Sequence, residues 1–260
     1  MSKFTIQYIS DVHLELLFKN SVKVLTHYLQ PKDQAKILVL AGDIGNPYTK
    51  DYQHFIQDMS QRFPKVFVIA GNHEYYSNKI IETKQKMKEV CDGINTTNSN
   101  TNVSFLDNSW EDYEGERFIG TTLWSHISKP QYQINDTKSI HDFDVEAYND
   151  LHEESKRFLE GAFVSCKTDN VKANVITHHL PFYELTHAEY KGHFYTNYSQ
   201  WFNARLDGMI FENKEVISRW IYGHTHKRSV QRHYDIDFYC NPLGYSGENG
   251  EIDETINCTI

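Results

Sequence analysis

Apolar residues along this chain come in short runs, and each run stops abruptly at a polar cluster. Residues 4–9 stop at Ser-Asp-Val-His, 37–40 at Ala-Gly-Asp, 66–69 at Ala-Gly-Asn-His-Glu, 175–177 at His-His-Leu-Pro and 220–222 at Gly-His-Thr-His. Uninterrupted apolar runs this short suit strands buried on both faces. Another strand is expected over residues 118–122, and helices over about 21–30, 51–62, 80–91 and 144–163. Strands alternating with helices predict an α/β layered fold with parallel pairing. Residues 95–102, rich in Asn and Thr, read as a loop. Residues 128–144 read as an insertion or lid, and 181–203 as a long loop crowded with aromatics and His. No internal repeat and no linker is visible, so residues 1–260 are expected to form a single domain.

Parallel sheets of α/β proteins bind ligands beyond the carboxyl ends of their strands. Taken singly, a Gly-Asp after a strand is a turn, and a buried His is a hydrogen-bonded core residue. Five successive strand ends carrying Asp, His or Asn point instead to one shared site. Asp11 and His13, two residues apart, share a side if the segment is extended. Asp43, Asn72, His178 and the pair His224/His226 each follow a strand directly. Imidazole combined with carboxylate and amide oxygen suits manganese, iron or zinc better than calcium or magnesium. Seven ligands exceed one tetrahedral site and suit two ions about 3.5–4 Å apart that share a carboxylate. The zincin motif, two His four apart on one helix, has a different spacing.

The ordered series Asp-x-His, Gly-Asp, Gly-Asn-His-Glu, His and Gly-His-x-His resembles the calcineurin-like metallophosphoesterase superfamily. The likeness runs from Ser10 to about Tyr245, and Ser-Asp-Val-His-Leu-Glu with Asn-Pro-Leu-Gly-Tyr looks like a microbial branch of it. It implies a four-layer αββα sandwich of two mixed β-sheets flanked by helices. It also implies that Asp11, His13 and His226 hold one metal, that Asn72, His178 and His224 hold the other, and that Asp43 bridges both. A hydroxide bridging the ions attacks phosphorus, Asn72 also orients the phosphate, and His73 assists the leaving group. His178, first after its strand, matches the family's ligand. Adjacent residues of an extended segment face opposite ways, which leaves His179 as a candidate substrate contact. Glu74 either orients His73 through a carboxylate–imidazole bond or simply complements a helix N-terminus. His126, His141, His187, His193 and His233 fall outside the ligand spacing.

Composition narrows the activity. A net charge of −9 lacks the basic footprint of a nucleic-acid binder and argues against a processive nuclease. The expected substrate is a small phosphate ester, with bound ions supplying the positive charge. Lys227-Arg228, with Arg219 and Arg232, are candidates for a second phosphate, and Tyr183, Tyr190, Phe194, Tyr195, Tyr198 and Trp201 either stack on a base or form the loop's own core. Gly42-Asp43 is followed by Ile-Gly-Asn-Pro, without the arginine of the protein Ser/Thr phosphatases. That moves the expectation toward phosphodiesters, with a phosphomonoesterase as the alternative. Relatives that act as non-catalytic scaffolds lose part of the ligand set, often the His after the Asn, and here the set is complete. Manganese is the expected pair, with iron or zinc as alternatives. Cys91, Cys166, Cys240 and Cys258 are scattered, with no CxxC. The chain enters its first strand without a basic-then-apolar leader, and no apolar run approaches the roughly 20 residues of a membrane span. The expected location is the cytoplasm.

Overall fold

The computed structural model describes residues 4–97, 102–128, 134–191, 199–249, 252–253 and 256–260. In its first sheet, β1 (Ile6–Ile9), β2 (Ile37–Ala41), β3 (Lys65–Ile69) and β4 (Asn102–Phe105) run parallel, and β11 (Cys258–Thr259) pairs antiparallel with β1. The second sheet contains β5 (Ser109–Tyr113), β6 (Glu116–Thr121), β7 (Ala173–Thr177), β8 (Ile217–Tyr222), β9 (Ser229–His233) and β10 (Ile236–Cys240). Its order is β5-β6-β7-β8-β10-β9, with parallel pairing inside and an antiparallel hairpin at each edge. Helices are α1 (Lys19–Tyr28), α2 (Lys50–Arg62), α3 (Ile80–Thr97), the single turn α4 (Asp136–Ser139), α5 (Val145–Asp169) and α6 (Asp207–Asn213).

The alternation of side chains along each strand deals them into three apolar layers. Ile6, Tyr8, Ile37, Val39, Phe67 and Ile69 meet Phe118, Ile176 and Ile221 between the sheets. Leu38, Leu40, Val66 and Val68 face the other way, toward Phe55, Ile56, Met59 and Met87 of α2 and α3. Val175, Trp220 and Tyr222 pack with Leu159, Phe163 and Ile210 of α5 and α6. Strands buried on both faces explain the unbroken apolar runs, and the result is the αββα sandwich of two mixed sheets. No helix among the described residues is long and apolar enough to cross a membrane.

The departures have local causes. Helix α3 runs on to Thr97, because Ile94 is buried and the Asn95 amide brackets Val103 of β4 with bonds of 2.8 and 2.9 Å. Helix α5 continues to Asp169 and ends where Asn170 turns left-handed, with φ +53°. The β5–β6 and β9–β10 hairpins turn on Glu114-Gly115 and Tyr234-Asp235, all four at positive φ. Tight hairpin turns need that conformation, but neither pair is the Asn-Gly that announces it in a sequence.

Candidate metal centre

The carboxyl ends of β1, β2 and β3 meet those of β7 and β8 at one edge of the sandwich. The loops after β1 and β2 are laced together by Asp11 N–H to Gly42 O (3.0 Å) and His13 N–H to Asp43 O (2.9 Å). Asp11, His13, Asp43, His224 and His226 all have left-handed backbones, with φ of +51°, +51°, +54°, +68° and +48°. Such residues cost roughly 1–3 kcal/mol each and gather at functional sites. Asp11 and His13 therefore converge through two left-handed residues around Val12, not through an extended segment. Crowding is severe enough to demand glycine at Gly42, Gly71 and Gly223. A Cβ on Gly42 (φ +85°) would lie 2.5 Å from His178 Nδ1, and one on Gly71 would run into the Asp43 carboxylate.

Three side-chain clusters result, one of them joining His13, Glu15 and His73, and the other two made of candidate ligands alone. Asp11, His13 and His226 offer ligand atoms within 4.8 Å of one another, and so do Asp43, His178 and His224. Asp43 joins them. Its Oδ1 accepts the His73 N–H (2.8 Å), while Oδ2 lies 3.2 Å from His178 Nε2 and 3.9 Å from His13 Nε2. Asn72 Oδ1 lies 3.2 Å from His178 Nε2, and His226 Nε2 lies 3.3 Å from Asp11 Oδ1. All seven candidate ligands thus come together at one place.

The outward ring nitrogens are already committed. His178 Nδ1 donates to the Ala41 carbonyl (3.0 Å), which frees Nε2 to face the cluster. His13 Nδ1 faces Glu15 (3.3 Å) and His226 Nδ1 faces Glu248 (2.7 Å). Imidazoles that bind metals are anchored in this way, by a carbonyl or carboxylate behind the ring. Burial alone would lower the pKa of His178, but Asp43 raises it to about 10; Asp11 and Glu248 likewise raise His226 to about 9 against burial. The centre concentrates negative charge and favours cations. Behind it, His224 Nε2 is buried with no partner among the described residues. A mixed oxygen and imidazole donor set, pre-anchored and with an orphaned ring nitrogen, fits a pair of borderline divalent ions.

Several expectations change. His179 is buried, with Nδ1 donating to Thr122 O (3.2 Å) and Nε2 at 3.1 Å from Tyr148 Oη. Its ring packs between those of Trp124 (5.4 Å) and the candidate ligand His224 (4.3 Å), fully buried. The phosphate-orienting role of Asn72 lacks a free amide hydrogen, since Nδ2 is spent on Asp136 (2.8 Å) and Tyr76 Oη (3.3 Å). Glu74 neither orients His73 nor caps a long helix. Its buried carboxylate accepts the N–H groups of Asp43, Ile44, Gly45 and Gly71, tying the β2 and β3 loops together. Of the basic candidates, Lys227 pairs with Glu189, Arg232 with Asp237 and Arg219 lies over the Phe4 ring, while Arg228 is exposed. Trp201 is core, packed on Tyr148, whereas Tyr190 lines a cavity at the centre; Phe194, Tyr195, Tyr198 and His193 lie outside the described residues.

Sequence reasoning missed the residues that position these groups. Glu15 reaches both His13 and His73 Nδ1 (3.4 Å), and only its place two residues after His13 hinted at this. Against burial, those two imidazoles hold its carboxyl below the usual range. Asp136, in the segment read as an insertion or lid, is buried and fixes both Asn72 and Tyr76. Asp136→Ala should loosen the Asn72 amide and weaken metal affinity by roughly 10–100-fold, the usual cost of losing such a partner. Metal titration by calorimetry measures it, and unchanged affinity would remove Asp136 from the centre.

Comparison with known proteins agrees with the geometry. The family described as calcineurin-like phosphoesterase matches residues 4–228. An uncharacterized protein of Acanthamoeba polyphaga mimivirus is 29% identical over 273 residues, covering 95% of this chain and 93% of that one. Among solved structures, the phosphopantetheinyl hydrolase of Mycobacterium tuberculosis matches with a TM-score of 0.69 at 17% identity, over 94% of this chain and 90% of that one. A dimetal phosphatase from Danio rerio matches with a TM-score of 0.56 at 13% identity, over 91% and 86%. At such identities the structural likeness speaks for the fold.

Proposed function

The chain belongs to the calcineurin-like phosphoesterase family, metal-dependent hydrolases of phosphate esters, and we propose that its substrate is a small phosphodiester. One observation carries the choice of diester. A cavity of about 480 Å³ opens at the centre, and neither Lys nor Arg is among the described residues lining it, while Glu248 is. A monoester dianion calls for a guanidinium or ammonium beside the metals, and a diester brings only one negative charge.

Asp11, His13 and His226 would hold one ion and Asn72, His178 and His224 the other, with Asp43 Oδ2 between them. Two divalent ions held there, manganese in this reading with iron or zinc as alternatives, would supply an acidified water and positive charge for the phosphoryl oxygens. His73 supplies the proton for the leaving group. The Glu15 carboxylate, 3.4 Å from Nδ1, favours the imidazolium that can give a proton away. Glu15 behind Nδ1 and Tyr245 Oη 3.4 Å from Nε2 hold the ring in place. The same reading takes residues 1–260 as one catalytic domain of the reducing cytoplasm, which four free cysteines support.

The test compares bis-p-nitrophenyl phosphate with p-nitrophenyl phosphate, using protein stripped by a chelator and reloaded with manganese. Stripped protein should be inactive. Reloaded protein should favour the diester in kcat/KM by about tenfold or more, equivalent to roughly 1.4 kcal/mol. The reverse preference overturns the diester assignment, and no turnover of either ester by loaded protein favours a binding platform.

A further inference from the structure

We propose that the cavity beside the centre is a subsite for a flat, uncharged aromatic group carried on the substrate phosphate, a refinement that rests on the diester reading. Its walls are mostly apolar. The Phe202 ring lies over the His224 ring, with centroids 4.8 Å apart, so it sits directly against a candidate ligand. Leu180 and Tyr190 continue that wall, and Tyr245 closes the other side with its ring 4.5 Å from that of His226. Tyr245 is 41% exposed, a large aromatic surface left open beside the reacting centre.

The charges around the cavity exclude most other occupants. Glu248, held by His226 and by the Tyr245 N–H (2.7 Å), puts a carboxylate in the wall. Lys227, next to His226, pairs with Glu189 (3.1 Å), the Lys191 ammonium donates to the Glu184 carbonyl (2.7 Å), and Arg228 is exposed and is not among the lining residues. A second phosphate or a carboxylate on the substrate would be desolvated beside Glu248, with no Lys or Arg among the described lining residues to offset the cost. An aromatic ring gains instead from burial and from ring contacts. The cavity's size, about 480 Å³, suits one such group together with its phosphate.

Inhibitors read this subsite without depending on which ester bond is cut. The probes are the methyl monoesters of methylphosphonic and phenylphosphonic acid, both monoanions, and of 4-carboxyphenylphosphonic acid, a dianion. Each is titrated as a competitor of whichever p-nitrophenyl ester the manganese-loaded enzyme hydrolyses. The phenyl compound should bind about tenfold or more tighter than the methyl compound, and the added carboxylate should cancel that gain. Phe202→Ala and Tyr190→Ala should each narrow the phenyl-to-methyl ratio, with metal content measured alongside to separate loss of the wall from loss of the centre. Equal affinities for methyl and phenyl, tightest binding by the carboxyphenyl compound, or a ratio untouched in both variants would overturn the subsite. A phenyl preference in an enzyme that hydrolyses only the monoester would support the subsite while overturning the diester reading.

Discussion

Asp43→Asn should leave a folded protein that carries at most one metal ion per chain and has lost at least about 10³-fold in kcat/KM, roughly 4 kcal/mol of transition-state stabilisation. The substitution keeps size and shape, so the effect isolates charge and hydrogen-bond polarity. Asp43 is buried, and although burial raises its pKa, the facing imidazoles of His178, His73 and His13 hold it well below the ordinary range. Its two oxygens have separate duties, Oδ1 toward the His73 N–H and Oδ2 between the two clusters of candidate ligands. An amide can satisfy only one of them. With its oxygen on the backbone N–H, the NH₂ points into the centre and repels cations. Turned the other way, the NH₂ opposes the His73 N–H and leaves two donors facing each other in a buried place. Neither rotamer offers an anionic oxygen to two ions at once. Elemental analysis of the purified variant counts the metals, and circular dichroism checks the fold. Two ions retained per chain would show that Asp43 does not bridge.

How far the sequence could be read follows from the range over which each signal acts. Strand ends are local events: an apolar run stops and a polar residue follows, so Asp11, Asp43, Asn72, His178 and His224/His226 stood out together. Their common location followed from topology, because parallel strands place their carboxyl ends along one edge. The residues that brace them carry no such mark. Asp136 meets Asn72 across 64 positions, and Glu248 meets His226 across 22. Asp136 opens the single turn α4 and Glu248 lies in an irregular segment, and neither stretch is long enough to show periodicity. Glu74 follows the Asn-His pair directly, yet its role exists only because two loops meet at Gly71 and Asp43. His179 shows the limit of strand alternation. The rule puts it opposite His178, but in a sheet covered by helices the opposite side is core. The edge hairpins escaped notice for a similar reason, since β5 and β9 are half exposed and short, and their turns lack glycine-led signatures.

His73→Ala should keep both metals and slow turnover by roughly 10²–10⁴-fold, the range of general acid help. The imidazole lies beside the ligands without joining either cluster of candidate ligands: Nδ1 faces Glu15, Nε2 faces Tyr245 Oη, and the ring stacks on Tyr76 at 4.2 Å. Removing it therefore takes away a proton donor and leaves the ligand set untouched. The size of the loss should depend on what departs. p-Nitrophenolate is a weak base that leaves with little help, so bis-p-nitrophenyl phosphate should lie near the small end of the range. A diester with an alkyl leaving group needs the proton and should lie near the large end. His73→Gln restores a polar group near the phosphate but has no proton to give, so it should rescue the aryl ester in part and the alkyl ester hardly at all. A loss of equal size for both leaving groups would mean that His73 holds the phosphate and does not protonate the departing oxygen.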